Sequence, residues 1–286
     1  MSAQSFSKAN PRRAHRALFR HIPGALLALV MSLGAAADGF MFSTETEVPR
    51  IAGIAMGMVP DYMGSDDYQF GIAPYARYQF TGRNQFVQLL GPELSLNMLN
   101  SKNWRLGPVL NYRFTRDDDV DDRTVSLMRK VDGTLEGGGF AEWFYATPGN
   151  PRQRYAIGGR LLADFGDAHD GMYGTISARM WQPVSPIIDL HFGAGMMFAD
   201  KDFTRTYFGV NAADALATGL PVATPDGGAT DIRFNFGALM YLSKSWAATA
   251  GLQYRRLLGD AKDSPLVDRR GSANQFIGGV GVAYMW

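Results

Sequence analysis

Nine residues near the start of the chain, PDYMGSDDY at 60–68, gather Asp61, Asp66 and Asp67. Carboxylates this close are the hard oxygen donors that a divalent cation takes, and one held there would bridge lipopolysaccharide phosphates. The stretch also carries Pro60, Tyr62, Gly64 and Ser65, the makings of a tight turn whose aspartates cap backbone groups and stay wet. We read it as that turn. It is no phosphate cradle, because it lacks closely spaced glycines and a following helix. DDDVDD at 117–122 reads in the same way, as a solvated loop. Histidine supplies acid–base chemistry only with a partner in reach. Asp189 and His191 share one strand face, as a hydrolase would need, but at the strand's inner end. His169 lies in the turn GDAHDG with Asp167 and Asp170 and no serine beside it. The chain has no cysteine, which removes disulfides, iron–sulfur clusters, thiolate catalysis and Cys-ligated zinc. The expectation is a non-enzyme with no catalytic residue, cofactor or metal.

A second set of chemically capable residues is spread along the whole chain. Arg77, Glu93, Arg105, Arg113, Glu136, Glu142, Arg154, Arg160, Asp164, Arg179, Asp189, Arg233 and Arg255 each fall on the polar face of an alternating run. In RYAIGGRLLADF, Tyr155, Ile157, Leu161, Ala163 and Phe165 oppose Arg154, Arg160 and Asp164. Period two is the strand period. Strands are expected near 50–59, 70–81, 84–90, 93–99, 103–116, 134–146, 152–166, 171–183, 187–200, 230–242, 246–258 and 273–286, with the junction at Gly91-Pro92 between the two short ones. A soluble sandwich alternates too, but its inner face would be apolar rather than rich in Arg and Glu. The apolar faces here end in aromatics: Phe70, Phe80, Trp104, Phe114, Trp143, Tyr145, Trp181, Trp246, Tyr254, Tyr284 and Trp286. Such girdles suit the two membrane interfaces. The fold class is therefore all-β, a transmembrane antiparallel barrel of about twelve strands over 50–286. Its lumen is lined by Arg77, Arg105, Arg113, Glu142, Arg160, Arg179, Arg233 and Arg255, and carboxylates on neighbouring strands pair with the cations. Twelve strands enclose a modest bore, which long paired side chains narrow further.

The first 37 residues have the layout of a secretory signal peptide: Lys8, Arg12, Arg13, Arg16 and Arg20, an apolar run from Ile22 to Ala36, then Ala35-Ala36-Ala37. Cleavage after Ala37 removes five cations and no acid. The remaining 28 − 5 = 23 Lys and Arg face 27 Asp and Glu, a net charge of −4 that argues against nucleic acid as a partner. Residues 38–49 then form a periplasmic arm. With both barrel ends in the periplasm, the connections TGRN, NSKN, TPGNPRQ, SPI and SKS are periplasmic, and PDYMGSDDY, 117–133, 201–229 and 259–272 are outside. GPE and GDAHDG are short outer connections. The chain ends FIGGVGVAYMW, and Tyr284 and Trp286 on the lipid side resemble the terminal signal that barrel-assembly machinery reads.

Several stretches together resemble the MipA/OmpV family of outer-membrane proteins: PDYMGSDDY, WRLGPVLNYR at 104–113, TYFGVNAADALATGLP at 206–221, YRRLLGDAKDSPLV at 254–267 and GSANQF at 271–276. The resemblance covers nearly all of the chain beyond the leader. It implies an outer-membrane barrel, in contact with lipid and lipopolysaccharide, that serves as a scaffold for a periplasmic murein transglycosylase and a murein synthase. Porin-like, osmotic-response and adhesion roles are also attached to the family, which brings no catalytic residues with it. The scaffold is the first expectation here, and a narrow channel for ions or small solutes is the alternative. A lumenal hydrolase comes third.

Overall fold

The computed structural model describes residues 50–286. The expected leader, 1–37, and arm, 38–49, lie outside the described residues. The period-two runs form twelve antiparallel strands: β1 Arg50–Pro60, β2 Tyr68–Gln79, β3 Phe86–Leu90, β4 Glu93–Asn97, β5 Trp104–Arg113, β6 Thr134–Thr147, β7 Asn150–Asp164, β8 Met172–Ser185, β9 Ile188–Ala199, β10 Gly228–Tyr241, β11 Trp246–Leu257 and β12 Asn274–Met285. Each pairs with its sequence neighbours, and β1 pairs with β12 from Ile51↔Met285 to Met58↔Gly278, closing the barrel. Closure leaves no free edge to satisfy except where strands differ in length.

Alternation decides the two faces. Along β12, Phe276, Val280, Val282 and Tyr284 are exposed, as is Trp286 just beyond, while Gln275, Ile277 and Ala283 are buried. Exposed apolar side chains all round are an outer wall made for lipid. Among the described residues no helix is long and apolar enough to cross a membrane. One aromatic departs from its expected face. Trp181 is 2% exposed and shares the inward side of β8 with Arg179, because residues two apart on a strand face the same way.

The five connections on the side of the chain ends are short. Those on the opposite side are longer, apart from Gly91-Pro92, and they carry the remaining structure. Helix α1, Lys201–Phe208, and α2, Ala212–Thr218, follow β9; α3, Gly259–Asp263, and α4, Pro265–Asp268, follow β11; a single 3-10 turn, Val125–Leu127, follows β5. These small helices were not expected from the sequence. Asp200 caps α1 by accepting from the Phe203 N–H, and Asn211 with Asp214 makes a reciprocal capping box on α2.

β3 and β4 have five residues each and turn back at Gly91, whose φ of 55° suits the missing Cβ. β3 reaches only from Gln79 to Tyr75 along β2. From Pro74 outward to Tyr68, β2 is paired with β1 alone among the described strands.

Candidate functional site: the barrel lumen and its outer cap

The outer connections pack on one another and close over the mouth. The turn at 61–67 is tied to both of its larger neighbours. The Tyr62 hydroxyl donates to the Arg270 carbonyl at 3.0 Å, the Ser272 N–H to the Gly64 carbonyl at 2.8 Å, and the Asp121 N–H to an Asp61 carboxylate oxygen at 2.9 Å. Gly64 has φ of 100°, and a Cβ on Gly271 would lie 1.9 Å from the Gly64 carbonyl oxygen, so the two loops meet only because both positions are glycine. The Ser65 hydroxyl accepts from the Asp67 N–H at 3.0 Å. Pro60, Asp61, Tyr62, Gly64 and Ser65 thus form a turn that locks the cap together. Burial raises the Asp61 carboxyl above its ordinary value, and neighbouring carboxylates add to this against the Asp121 N–H. Asp122 goes the other way. Burial opposes its ionisation, but the Arg270 guanidinium and the N–H groups of Val125 and Thr124 prevail and hold it low.

Beneath the cap α1 reaches into the barrel. Phe203 and Phe208 are fully enclosed beside Tyr207, Tyr173 and Leu162. His169 lies in the outer turn GDAHDG, as expected, but its ring is buried here, with ring centroids 5.1 Å from Phe203 and 5.6 Å from Tyr207. Asp167 and Asp170 on either side of it have left-handed φ of 61° and 51°, which break the alternation and turn the ring inward. The ring's Nε2 is 3.1 Å from Glu136 Oε1. Glu136 also accepts from Asn111 Nδ2 at 2.7 Å, from the Tyr173 hydroxyl at 2.8 Å and from the Arg113 guanidinium. The Arg113 guanidinium carbon is 4.9–5.2 Å from the rings of Tyr173, Phe203 and Tyr207. A carboxylate excluded from water is tolerable only when its lone pairs are met in this way.

Elsewhere along the lumen the wall is cross-linked by further pairs, at both the periplasmic and the outer ends of the strands. Glu142 bridges Arg105, at 3.1 Å, and Arg179. Arg160 pairs with Glu93, and Arg233 grips Asp231 through two contacts of 2.9 Å. Arg255 Nη2 donates to Gln253 Oε1 at 3.3 Å. The guanidinium carbons of Arg77 and Arg105 lie 3.7 Å and 3.6 Å from the ring centroids of Phe86 and Phe144. Arg77, Arg105, Arg113, Glu142, Arg160, Arg179, Arg233 and Arg255 therefore all stand on the inner wall, in several clusters rather than one site. Asp189 accepts from Arg152 and, at 2.8 Å, from the Tyr241 hydroxyl, while His191 lies against Trp181. Tyr284 and Trp286 stack on the lipid side with centroids 5.9 Å apart.

A family model described as MltA-interacting protein MipA matches residues 52–286. Outer membrane protein OmpV of Vibrio cholerae serotype O1 is 38% identical over 100 residues, which are 34% of this chain and 36% of OmpV. Outer membrane protein Omp26La of Vibrio anguillarum is 37% identical over 99 residues, again 34% and 36%. The chain thus spans little more than a third of either relative. Among solved structures, the NanC porin superposes with a TM-score of 0.46 and 9% identity over 82% of this chain and 98% of that one. The CymD monoaromatic hydrocarbon channel gives 0.39 and 11% over 90% and 98%. At those scores the likeness carries no functional argument. The family match spans the barrel from the third residue of β1 to the last residue, Trp286, and includes the cap and the lumen. This chain belongs to the MltA-interacting protein (MipA) family and is an outer-membrane β-barrel.

Proposed function

We propose that this barrel is a non-enzymatic anchor that holds a murein-remodelling enzyme, a transglycosylase with or without its synthase partner, at the inner surface of the outer membrane. The observation that carries the reading is the family match across 52–286 under the description MltA-interacting protein. The cap and the ion-paired lumen are consistent with it, since a docking platform gains from rigidity and has no use for a wide bore. On this reading 1–37 is the cleaved leader, 38–49 is a periplasmic arm, and Trp286 with Tyr284 addresses the chain to barrel-assembly machinery. The arm and the short turns form the docking surface. It is small and polar, so modest affinity is expected, in the class that buries less than ~1,200 Å².

Capture of periplasmic murein transglycosylases and synthases by detergent-solubilised barrel tests this. Replacing 38–49 and Thr147–Pro151 with Gly and Ser, while leaving Arg152 on Asp189, should abolish capture. Undiminished capture would sink the anchor. A second reading, a narrow channel, is favoured by the arginines along the inner wall. In planar bilayers it requires conductance that changes with Arg160→Ala, and a silent barrel removes it.

A further inference from the structure

Alternation leaves the lipid side of the strands almost free of charge. The charged side chains that do face lipid are Arg50, at the periplasmic end of β1, and Arg256, at the outer end of β11. Each alternates with a buried neighbour, Ile51 or Leu257. Arg50 is engaged by its own wall. Its guanidinium carbon stands 4.6 Å over the Tyr78 ring, and its Nη2 donates to the Tyr78 and Thr81 hydroxyls at 3.1 Å and 3.2 Å. Arg256 is exposed and makes no ion pair among the described residues. Its Nη1 donates to Asn274 Oδ1 at 2.8 Å, and the Tyr254 hydroxyl donates to the same oxygen at 2.7 Å. The other guanidinium N–H groups and the Asn274 amide N–H groups remain as donors at the rim. The connection above, 259–272, carries Asp260, Asp263 and Asp268 against Lys262, Arg269 and Arg270, so it does not offset the charge.

Below this polar pair an aromatic row crosses β10, β11 and β12 through Phe234, Tyr254 and Phe276, with centroids 6.5 Å and 5.2 Å apart. The next row runs through Phe236, Leu252 and Gly278, with Met58 of β1 opposite Gly278. Phe276, Leu252, Met58 and Val280 are all exposed around this one position without a side chain. A Cβ on Gly278 would lie 3.6 Å from Leu252 Cδ1 and 3.7 Å from the Gly251 carbonyl oxygen, ordinary contact distances. On Gly279 beside it a Cβ would lie 2.5 Å from the Met56 carbonyl oxygen. Close strand packing thus demands glycine at 279 and not at 278, where the outer wall has an open notch. The notch is four residues below Asn274 along β12, about 13 Å at the strand rise. A bare cation at the interface and an apolar notch at hydrocarbon depth together complement a lipid with an anionic head and acyl chains.

We propose that this face of β10 to β12 seats one lipopolysaccharide molecule. The guanidinium of Arg256 and the Asn274 amide donate to a lipid A phosphate, and an acyl chain fills the notch at Gly278. Charge complementarity selects the occupant. A phosphate accepts several N–H bonds from a guanidinium, whereas a second copy docked here about a two-fold axis would bring another unpaired Arg256 to the same rim. The outer end of β11 lies in the leaflet that carries lipopolysaccharide. The seat is independent of whether a murein enzyme docks at the periplasmic side.

The experiment titrates barrel, refolded in neutral detergent micelles, with bisphosphoryl lipid A. Native mass spectrometry reads the fraction that carries one lipid, and heat-modifiable gel mobility checks folding of each variant. Phosphate-free lipid A and phosphatidylglycerol are titrated in parallel, and both should bind more weakly than bisphosphoryl lipid A. Arg256→Gln should weaken binding of bisphosphoryl lipid A about ten-fold, the effect of roughly one charge-assisted hydrogen bond. Gly278→Leu fills the notch without a change of charge and should weaken it as well. Arg50→Gln, at the opposite rim, should bind as the unaltered barrel does. Undiminished binding by Arg256→Gln, an equal loss with Arg50→Gln, or full binding of the phosphate-free lipid overturns the phosphate seat. Phosphatidylglycerol held as tightly overturns lipid A as the occupant, and undiminished binding by Gly278→Leu overturns the notch. Should Arg256→Gln fail to fold, the phosphate-free lipid on the unaltered barrel decides the same point.

Discussion

Glu136 is 0% exposed and would be untenable alone, but two strands and a loop surround its oxygens with donors from Asn111, Arg113, Tyr173 and His169. Glu136→Gln keeps the shape and removes the charge, which leaves the Arg113 guanidinium enclosed without its counter-ion. Breaking a buried pair from one side costs about 3–5 kcal/mol. The urea midpoint of the detergent-folded barrel should fall accordingly, and pairing the change with Arg113→Met should recover much of the loss; an unshifted midpoint would show the knot to be dispensable. That Arg113 and Glu136 face inward was legible in the sequence, because both obey the period of their strands. His169 was not, because a turn has no period and the two left-handed aspartates that aim it leave no pattern in composition. Trp181 was misplaced on the lipid side for a different reason. Aromatic type suggested a girdle, although its spacing of two from Arg179 already required the lumen.

At the level of elements, all twelve strands were readable, most of them to within two residues, since a wall with lipid on one face and charge on the other enforces strict alternation. The helices of the cap were not readable. α1 has eight residues and α2 seven, too short to persist by themselves in water, and they exist because their caps and the barrel beneath hold them. Asp214 shows how: it closes the α2 capping box and also accepts from the Arg129 backbone N–H at 2.7 Å and from the Arg129 side chain. The cap should consequently respond to acid through Asp122. Its carboxyl is held below the usual 3.8 by Arg270 and two backbone N–H groups against the opposing effect of burial. A pKa lowered in the folded state means that the contribution is complete above that value and fades as pH falls through the folded one. Pepsin should cut within 117–133 increasingly as pH drops below 3.8, while Asp122→Asn should already be susceptible at the upper end of the enzyme's working range. Equal cleavage rates for the two proteins would mean that the Arg270 contact does not hold the cap.

For the whole molecule, the low wall at β3 and β4 has a consequence for the surrounding bilayer. Five tilted residues rise only about 13 Å, against an apolar band about 25 Å tall elsewhere on such barrels. The outer half of β2 beside it has backbone groups on the side away from β1 that hydrocarbon cannot satisfy. Headgroups and water must therefore dip toward Gly91 on this side, so that the barrel sits in a lopsided pinch of the membrane rather than a uniform annulus. The absence of cysteine from the chain makes the dip measurable. Ile72 and Ile176 both face outward, each four residues from the outer end of its strand. A cysteine placed at Ile72 should react with a water-soluble maleimide well before one at Ile176, and matching protection at the two positions would mean an even bilayer. Where the membrane thins, lateral pressure is uneven, and a barrel with one short side acquires a preferred heading among its lipids and among its neighbours.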